Sequence, residues 1–232
     1  MSYLITFTEA ENLISNFVNH ATLGPIAQKN SLGGTIDKNS FQTQVSNPGF
    51  ETGKMAWYCW NEDGSAPYHS FFLSFEQFNN FTSSPYPGEP EHASLQAPKK
   101  IFKYSAGQSI NDLLKNHQEV LANPINQGIS KGDVQLHIKD FNLDFPKDSS
   151  GNAFNQEPFG FINSDDPGGG EKSDWELFLS QPGLAAIRYY FGLDESLSVN
   201  KIRIICIGVD TNGENMIPVD VNNALIIDKT RP

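Results

Sequence analysis

Cys59 and His69 are the first pair in this sequence that could do covalent chemistry. Cys59 lies in the apolar run Met55-Ala56-Trp57-Tyr58-Cys59-Trp60, and His69 in the run Tyr68-His69-Ser70-Phe71-Phe72-Leu73. Asn61-Glu62-Asp63-Gly64 between them has turn composition. A hairpin would place thiol and imidazole on neighbouring strands, and a nucleophile needs a base within hydrogen-bond reach. Reactive thiols, however, favour helix N-termini, where the dipole lowers their pKa. Cys59 sits among Trp57, Tyr58 and Trp60 instead, so packing is the stronger expectation for it.

Carboxylates offer a second chemistry. Asp165, Asp166 and Glu171 bracket Pro167 and three glycines. Paired carboxylates can hold a metal or run acid–base hydrolysis. Hydrolytic carboxylates need rigid seats, though, and a Gly-Gly-Gly loop supplies none, so a solvated loop is the expectation. Asp140-Phe141-Asn142-Leu143-Asp144 opens like an oxygen-ligand calcium loop. Phe145 and Gly151 then stand where an EF-hand requires Gly and Glu, which excludes that motif.

Arg188 and Arg203 are the most informative charges. Each interrupts a strand-like apolar run: Ala186 to Gly192, and Lys201 to Asp210. Both alternating faces of 201–209 are mostly apolar, which predicts a central strand covered on both sides. An arginine there needs a carboxylate or an exit to solvent. Asp210 and Glu195 are the nearest candidate partners, and a salt bridge at the edge of the core is the simplest expectation. An anion-binding pocket around Arg188 and Arg203 is the sharper one. Trp57 and Tyr58 belong to an aromatic cluster with Trp60, Tyr68, Phe71 and Phe72, and could meet a ligand or partner from an open sheet face.

Composition limits the function classes. The chain has 232 residues, 12% aromatic and 19% charged, which is the profile of a folding chain. Its net charge of -11 disfavours nucleic acid and anionic membrane surfaces, and suits solubility or a basic partner. Two cysteines, Cys59 and Cys206, are too few for a disulfide framework, and no Cys/His zinc spacing occurs. The first basic residue is Lys29, so the N-terminus does not read as a signal peptide. With no apolar run of membrane length, a cytoplasmic protein is expected. Neither a phosphate loop, a dinucleotide fingerprint nor a hydrolase motif is present, so no cofactor is expected.

The elements that must position these residues read as α+β: a mainly antiparallel or mixed sheet with about four helices packed on it. Helices are expected at 9–20, 74–82, 109–122 and 173–180. Their start signals are Thr8 with Glu11, Ser74 with Gln77, Ser109 with Asp112, and Ser173 with Glu176. The first carries Ala10, Leu13, Ile14, Phe17 and Val18 on one face, and His20 at its end, where positive charge complements the dipole. His117 falls in a core-facing slot of the third, as a hydrogen-bonded, half-buried histidine. Residues 21–54 read as loop, and Gly33-Gly34 lacks the context of a phosphate site. Strands are expected at 55–60, 68–73, 99–104 and 134–139, and at the pair 186–192 and 201–210. Asn212-Gly213 supplies a type I′ turn into a third strand around Met216 to Val219. The stretch 141–171 has loop composition. One domain over 1–232 is expected, with a possible division at the proline-rich 83–98.

The segments Ile187-Arg188-Tyr189-Tyr190-Phe191-Gly192 and Ile207-Gly208-Val209-Asp210-Thr211-Asn212-Gly213 resemble a group of uncharacterised bacterial proteins of Bacteroidetes type, which share an R-x-Y-F-G…G-V-D-x-x-G hairpin. The resemblance covers about 30 residues and implies a bacterial α+β domain without an activity to transfer. The expected function is a non-catalytic binding or interaction protein, in one version immunity-like, with an acidic surface for a basic partner. A small-molecule ligand is the other kind of partner. The alternative is a hydrolase using Cys59 and His69, or the Asp165, Asp166 and Glu171 loop with a metal.

Overall fold

In a computed structural model, the structure describes residues 4–29, 31–39, 52–60, 70–78, 95–97, 100–119, 127–129, 160–162, 174–196 and 201–228. Its strands form two sheets, and every strand pairing is antiparallel. Short helices accompany them, so the α+β class holds. No described helix is long and apolar enough to cross a membrane.

The first sheet has the order β1-β11-β10-β9-β2-β6. These strands are β1 (Leu4–Ile5), β2 (Gly33–Asp37), β6 (Lys100–Phe102), β9 (Ala186–Asp194), β10 (Lys201–Val209) and β11 (Ile226–Asp228). β9 and β10 pair along their full length, from Ala186 opposite Val209 to Asp194 opposite Lys201. Residues 186–193 and 202–209 are all buried, as expected of strands covered on both faces. Opposed residues of an antiparallel pair share a face. Arg188, Tyr190, Gly192 and Asp194 therefore share one side with Arg203, Ile205 and Ile207.

The expected third strand at 216–219 does not form. After the turn, Asn215 bridges Val209 and Met216 N–H donates to the Gly208 carbonyl. Pro218 then lacks the N–H a ladder needs. The chain instead returns through a 3-10 turn (Val221–Asn223) to β11, which pairs Ile226 with Ile207 and Asp228 with Ile205. The turn itself also differs. Gly213 N–H donates to the Asp210 carbonyl, closing a turn over Thr211 and Asn212, and Gly213 follows at φ 83°. That is the three-residue loop ending in a left-handed residue, rather than a type I′ pair at Asn212-Gly213.

Helix α1 (Phe7–Asn19) starts two residues earlier than the Thr8 signal implies. Thr6 is its N-cap: the hydroxyl accepts from Glu9 N–H at 3.1 Å, and Glu9 Oε2 accepts from Thr6 N–H at 2.8 Å. The reciprocal pair beats Thr8 and Glu11 because it leaves Phe7 inside the helix, where Phe7, Ala10, Ile14, Phe17 and Val18 are buried. His20 caps the C-terminus, but its Nδ1 accepts from Thr22 and Leu23 N–H. It serves the start of the next helix as an acceptor. That helix, α2 (Leu23–Lys29), lies in a stretch read as loop. Gly24-Pro25 has the composition of a breaker, yet Pro25 falls in the first turn, where a missing N–H costs nothing.

Three further expectations shift. β2 also lies in that loop stretch. Its Gly33 is a packing glycine, since a Cβ there would stand 2.0 Å from the Tyr189 carbonyl oxygen. Helix α3 (Ile110–Asn116) starts at Ser109 as expected but stops at His117, because residues 117–119 turn away to bond the 213–215 turn. Leu121 lies outside the described residues. The third change is in the second sheet, of order β7-β5-β4-β3-β8. It contains β3 (Thr52–Trp60), β4 (Ser70–Phe78), β5 (Leu95–Ala97), β7 (Gln127–Ile129) and β8 (Gly160–Ile162). The hairpin of 52–60 with 70–78 is present, and the helix expected at 74–82 is not: β4 runs on to Phe78, opposite Thr52. A nine-residue ladder overrides the local Ser74–Gln77 cap signal. β8 falls within the 141–171 stretch that composition marks as loop. Helix α4 (Asp174–Leu179) stands where expected, with Phe178 buried. The expected strand at 134–139 and the acidic segment 140–144 lie outside the described residues.

Candidate functional site

Arg188 is wholly buried, and a polar cluster is built around it. It projects from the middle of β9, directly opposite Thr35 of β2. Four internal acceptors take its donors. Nε donates to Thr35 Oγ1 at 3.2 Å, and Nη1 to Asn215 Oδ1 at 2.6 Å and to the His117 carbonyl at 3.3 Å. Nη2 donates to the Gly213 carbonyl at 3.1 Å. Glu119 Oε2 lies 3.7 Å from Nη2 and accepts from the Thr35 hydroxyl at 2.9 Å. The arginine thus joins strand β2, the end of α3 and the β10 turn.

Backbone bonds hold the same parts together. Glu119 N–H donates to the Gly213 carbonyl, and Asn215 N–H to the His117 carbonyl. Gln118 bridges Glu214. Gly213 is tight against this segment: a Cβ there would lie 1.8 Å from the Glu119 carbonyl oxygen.

Asn215 extends the cluster. Its amide donates to the Leu114 carbonyl at 2.9 Å and to the Tyr190 hydroxyl at 2.7 Å. The Tyr190 hydroxyl also meets His117 Nδ1 at 2.8 Å. Burial pushes the Tyr190 phenol well above its ordinary range. Burial first, and the Arg188 charge second, push His117 down to about 3. The imidazole is therefore neutral at pH 7. Its Nδ1 is engaged by the Tyr190 hydroxyl, which withholds that atom from general-base work. The expected hydrogen-bonded, half-buried His117 is present, at the cap of α3 rather than within the helix.

Arg203 is bracketed by two carboxylates. Nη2 lies 2.7 Å from Asp194 Oδ2, and Nε lies 3.8 Å from Asp228 Oδ2. Asp194 stands opposite Lys201 and Asp228 opposite Ile205, so each is a diagonal neighbour of Arg203 on an adjoining strand. Burial pushes the Asp194 carboxyl up, but hydrogen bonds from Ser196 and Arg203 outweigh it and hold the group below its ordinary range. The partners of the two arginines are thus Glu119, Asp194 and Asp228, and not Asp210 and Glu195. Asp210 instead accepts from the N–H groups of Asn212 and Glu214 across the turn. An anion entering beside either arginine would have to displace these contacts.

Trp57, Tyr58 and Cys59 occupy β3, opposite Leu73, Phe72 and Phe71. His69, Asp165, Asp166 and Glu171 lie outside the described residues. Cys206 is buried on β10. Among the described residues, no group of three or more His, Cys, Asp or Glu side chains could hold a metal. Sequence reasoning missed Thr35, Glu119, Asn215 and Asp228. Only Asp228 carried a signal, as an acid ending the apolar run Ala224-Leu225-Ile226-Ile227. Comparison with protein-family models, with curated proteins and with solved structures gives no match to this chain.

Proposed function

We propose that this chain is a non-catalytic binding protein of the cytoplasm whose acidic surface meets a basic protein partner, as an immunity- or antitoxin-like protein does. One observation carries the proposal. The buried clusters contain two of the chain's three arginines and engage three carboxylates, Glu119, Asp194 and Asp228. They consume the two signs in nearly equal number, so the excess behind the net charge of -11 belongs to the rest of the chain. Such a field steers a cationic partner and repels nucleic acid. The engaged Arg188 and the occupied His117 Nδ1 further support a scaffold role for the polar cluster around Arg188. The bacterial source suggested by the 187–213 resemblance fits the same reading.

Affinity capture from the native host tests it. The tagged protein is expected to retain a basic protein at low ionic strength and to release it as salt is raised, because exposed charges are screened beyond about 8 Å at physiological ionic strength. Recovery only of acidic proteins, or of a partner indifferent to salt, would refute it.

A further inference from the structure

We propose that Asn212 is a site of spontaneous deamidation, held in check by Asp210, whose conversion would unfasten the turn from the Arg188 cluster. Asn212-Gly213 is the single Asn-Gly step in the chain, and Asn212 is exposed. Glycine after asparagine leaves the following backbone nitrogen without side-chain hindrance. That nitrogen can attack the asparagine Cγ. The Gly213 N–Cγ bond forms, the Cγ–Nδ2 bond breaks, and ammonia leaves with the proton shed by Gly213 N. Water then opens the cyclic imide at either carbonyl, giving aspartate or isoaspartate at 212.

Asp210 opposes each part of this step. The Asp210 carbonyl accepts the Gly213 N–H at 3.1 Å, so the attacking nitrogen is engaged. Asp210 Oδ2 accepts from Asn212 Nδ2 at 3.2 Å, and Oδ1 from Asn212 N–H at 2.8 Å, so the carboxamide that must be attacked is tethered to Asp210. Reaction therefore requires local opening of the turn. Isoaspartate cannot keep the native turn. Isoaspartate adds a methylene to the backbone just before Gly213, whose carbonyl bonds both Arg188 Nη2 and Glu119 N–H. Either product also sets a second carboxylate beside Asp210, where like charges repel.

Peptide mapping by mass spectrometry after incubation at mildly alkaline pH tests this, run on the folded chain, the same chain in urea, and the Asp210→Ala variant. Asn212 is expected to convert at least about tenfold more slowly in the folded chain than in urea, since opening must precede attack. Asp210→Ala is expected to convert faster than wild type under native conditions, and Asn212→Ser to release no ammonia from this peptide. Equal rates in folded and urea-treated wild type overturn the proposal, even if Asp210→Ala fails to fold. So does a folded Asp210→Ala variant that ages at the wild-type rate.

Discussion

The hydroxyl of Tyr190 meets Nδ1 of His117 at 2.8 Å, and the Asn215 amide that donates to the same hydroxyl at 2.7 Å favours the tyrosine as donor in that contact. The assignment follows outward from Arg188, which can only donate. Asn215 must therefore turn its Oδ1 to the guanidinium, and its Nδ2 to the Leu114 carbonyl and the Tyr190 hydroxyl. With an amide donating to it, Tyr190 directs its own hydrogen at Nδ1. His117 is then the neutral tautomer with its proton on Nε2. One buried cation thus fixes the orientation of three neighbouring polar side chains.

This arrangement gives a pH dependence. His117 falls from an ordinary 6.5 to about 3 in the folded protein, so the unfolded chain takes up a proton first. The stability tied to neutral His117 is complete above pH 6.5 and drains away as pH falls from 6.5 toward 3. Urea unfolding across that window is expected to show a declining midpoint for wild type and a flatter profile for His117→Asn. Identical slopes for the two proteins would show that His117 does not titrate as the cluster requires.

Arg188→Met is expected to cost about 3–5 kcal/mol, because it takes the donor from four interior acceptors and the counter-charge from Glu119. Arg188→Lys keeps the charge but has three donors for four acceptors, and lacks the planar fork, so it should recover only part of the loss. Denaturant midpoints of the three proteins check this. A loss below about 1 kcal/mol for Arg188→Met would mark the cluster as incidental.

The sequence makes some of this legible and hides the rest for physical reasons. Alternating hydrophobicity exposes β9 and β10, and the two arginines stand out because charge is costly in such strands. Their partners are hidden because they come from β2, from the segment after α3, from the far end of β9 and from β11. Nothing local marks Thr35 or Glu119 as neighbours of residue 188. Local signals also mislead where a longer ladder wins: Ser74 to Gln77 reads as a helix start, yet it lies in a strand paired over nine residues. Gly33-Gly34 reads as loop because the need for close strand approach is written in Tyr189, not beside it.

Gly213→Ala tests the turn. The substitution places a Cβ 1.8 Å from the Glu119 carbonyl oxygen and forces a side chain to φ 83°. The backbone conformation alone costs about 1–3 kcal/mol, and relieving the clash must pull residues 117–119 from the turn. Hydrogen exchange of the Glu119 and Asn215 amides is expected to accelerate selectively, while the amides shared by β9 and β10 stay protected. Uniform acceleration would mean that the turn is not a separate lock.

The Asp194–Arg203 pair makes the last prediction. Asp194 is held below its ordinary 3.8 by Ser196 and Arg203 against the pull of burial. Because its folded pKa is depressed, the stability it contributes is present above pH 3.8 and is lost as pH falls through the folded value. The side chain of Asp194 is 15% exposed and that of Arg203 6%, so salt should screen the pair only weakly. A double-mutant cycle of Asp194→Asn with Arg203→Met is expected to return a coupling of about 0.5–3 kcal/mol at neutral pH. That coupling should persist in high salt and shrink once the solution is acidified below the ordinary carboxylate range. Asp228 makes the design informative: it stands 3.8 Å from Nε, on the other side of Arg203. If Asp228→Asn couples to Arg203 more strongly than Asp194→Asn does, the deeper carboxylate is the main counter-ion, and the short 2.7 Å contact with Asp194 chiefly orients the guanidinium. No measurable coupling to either carboxylate would mean that the strands are held by their ladder and apolar faces without help from these ion pairs.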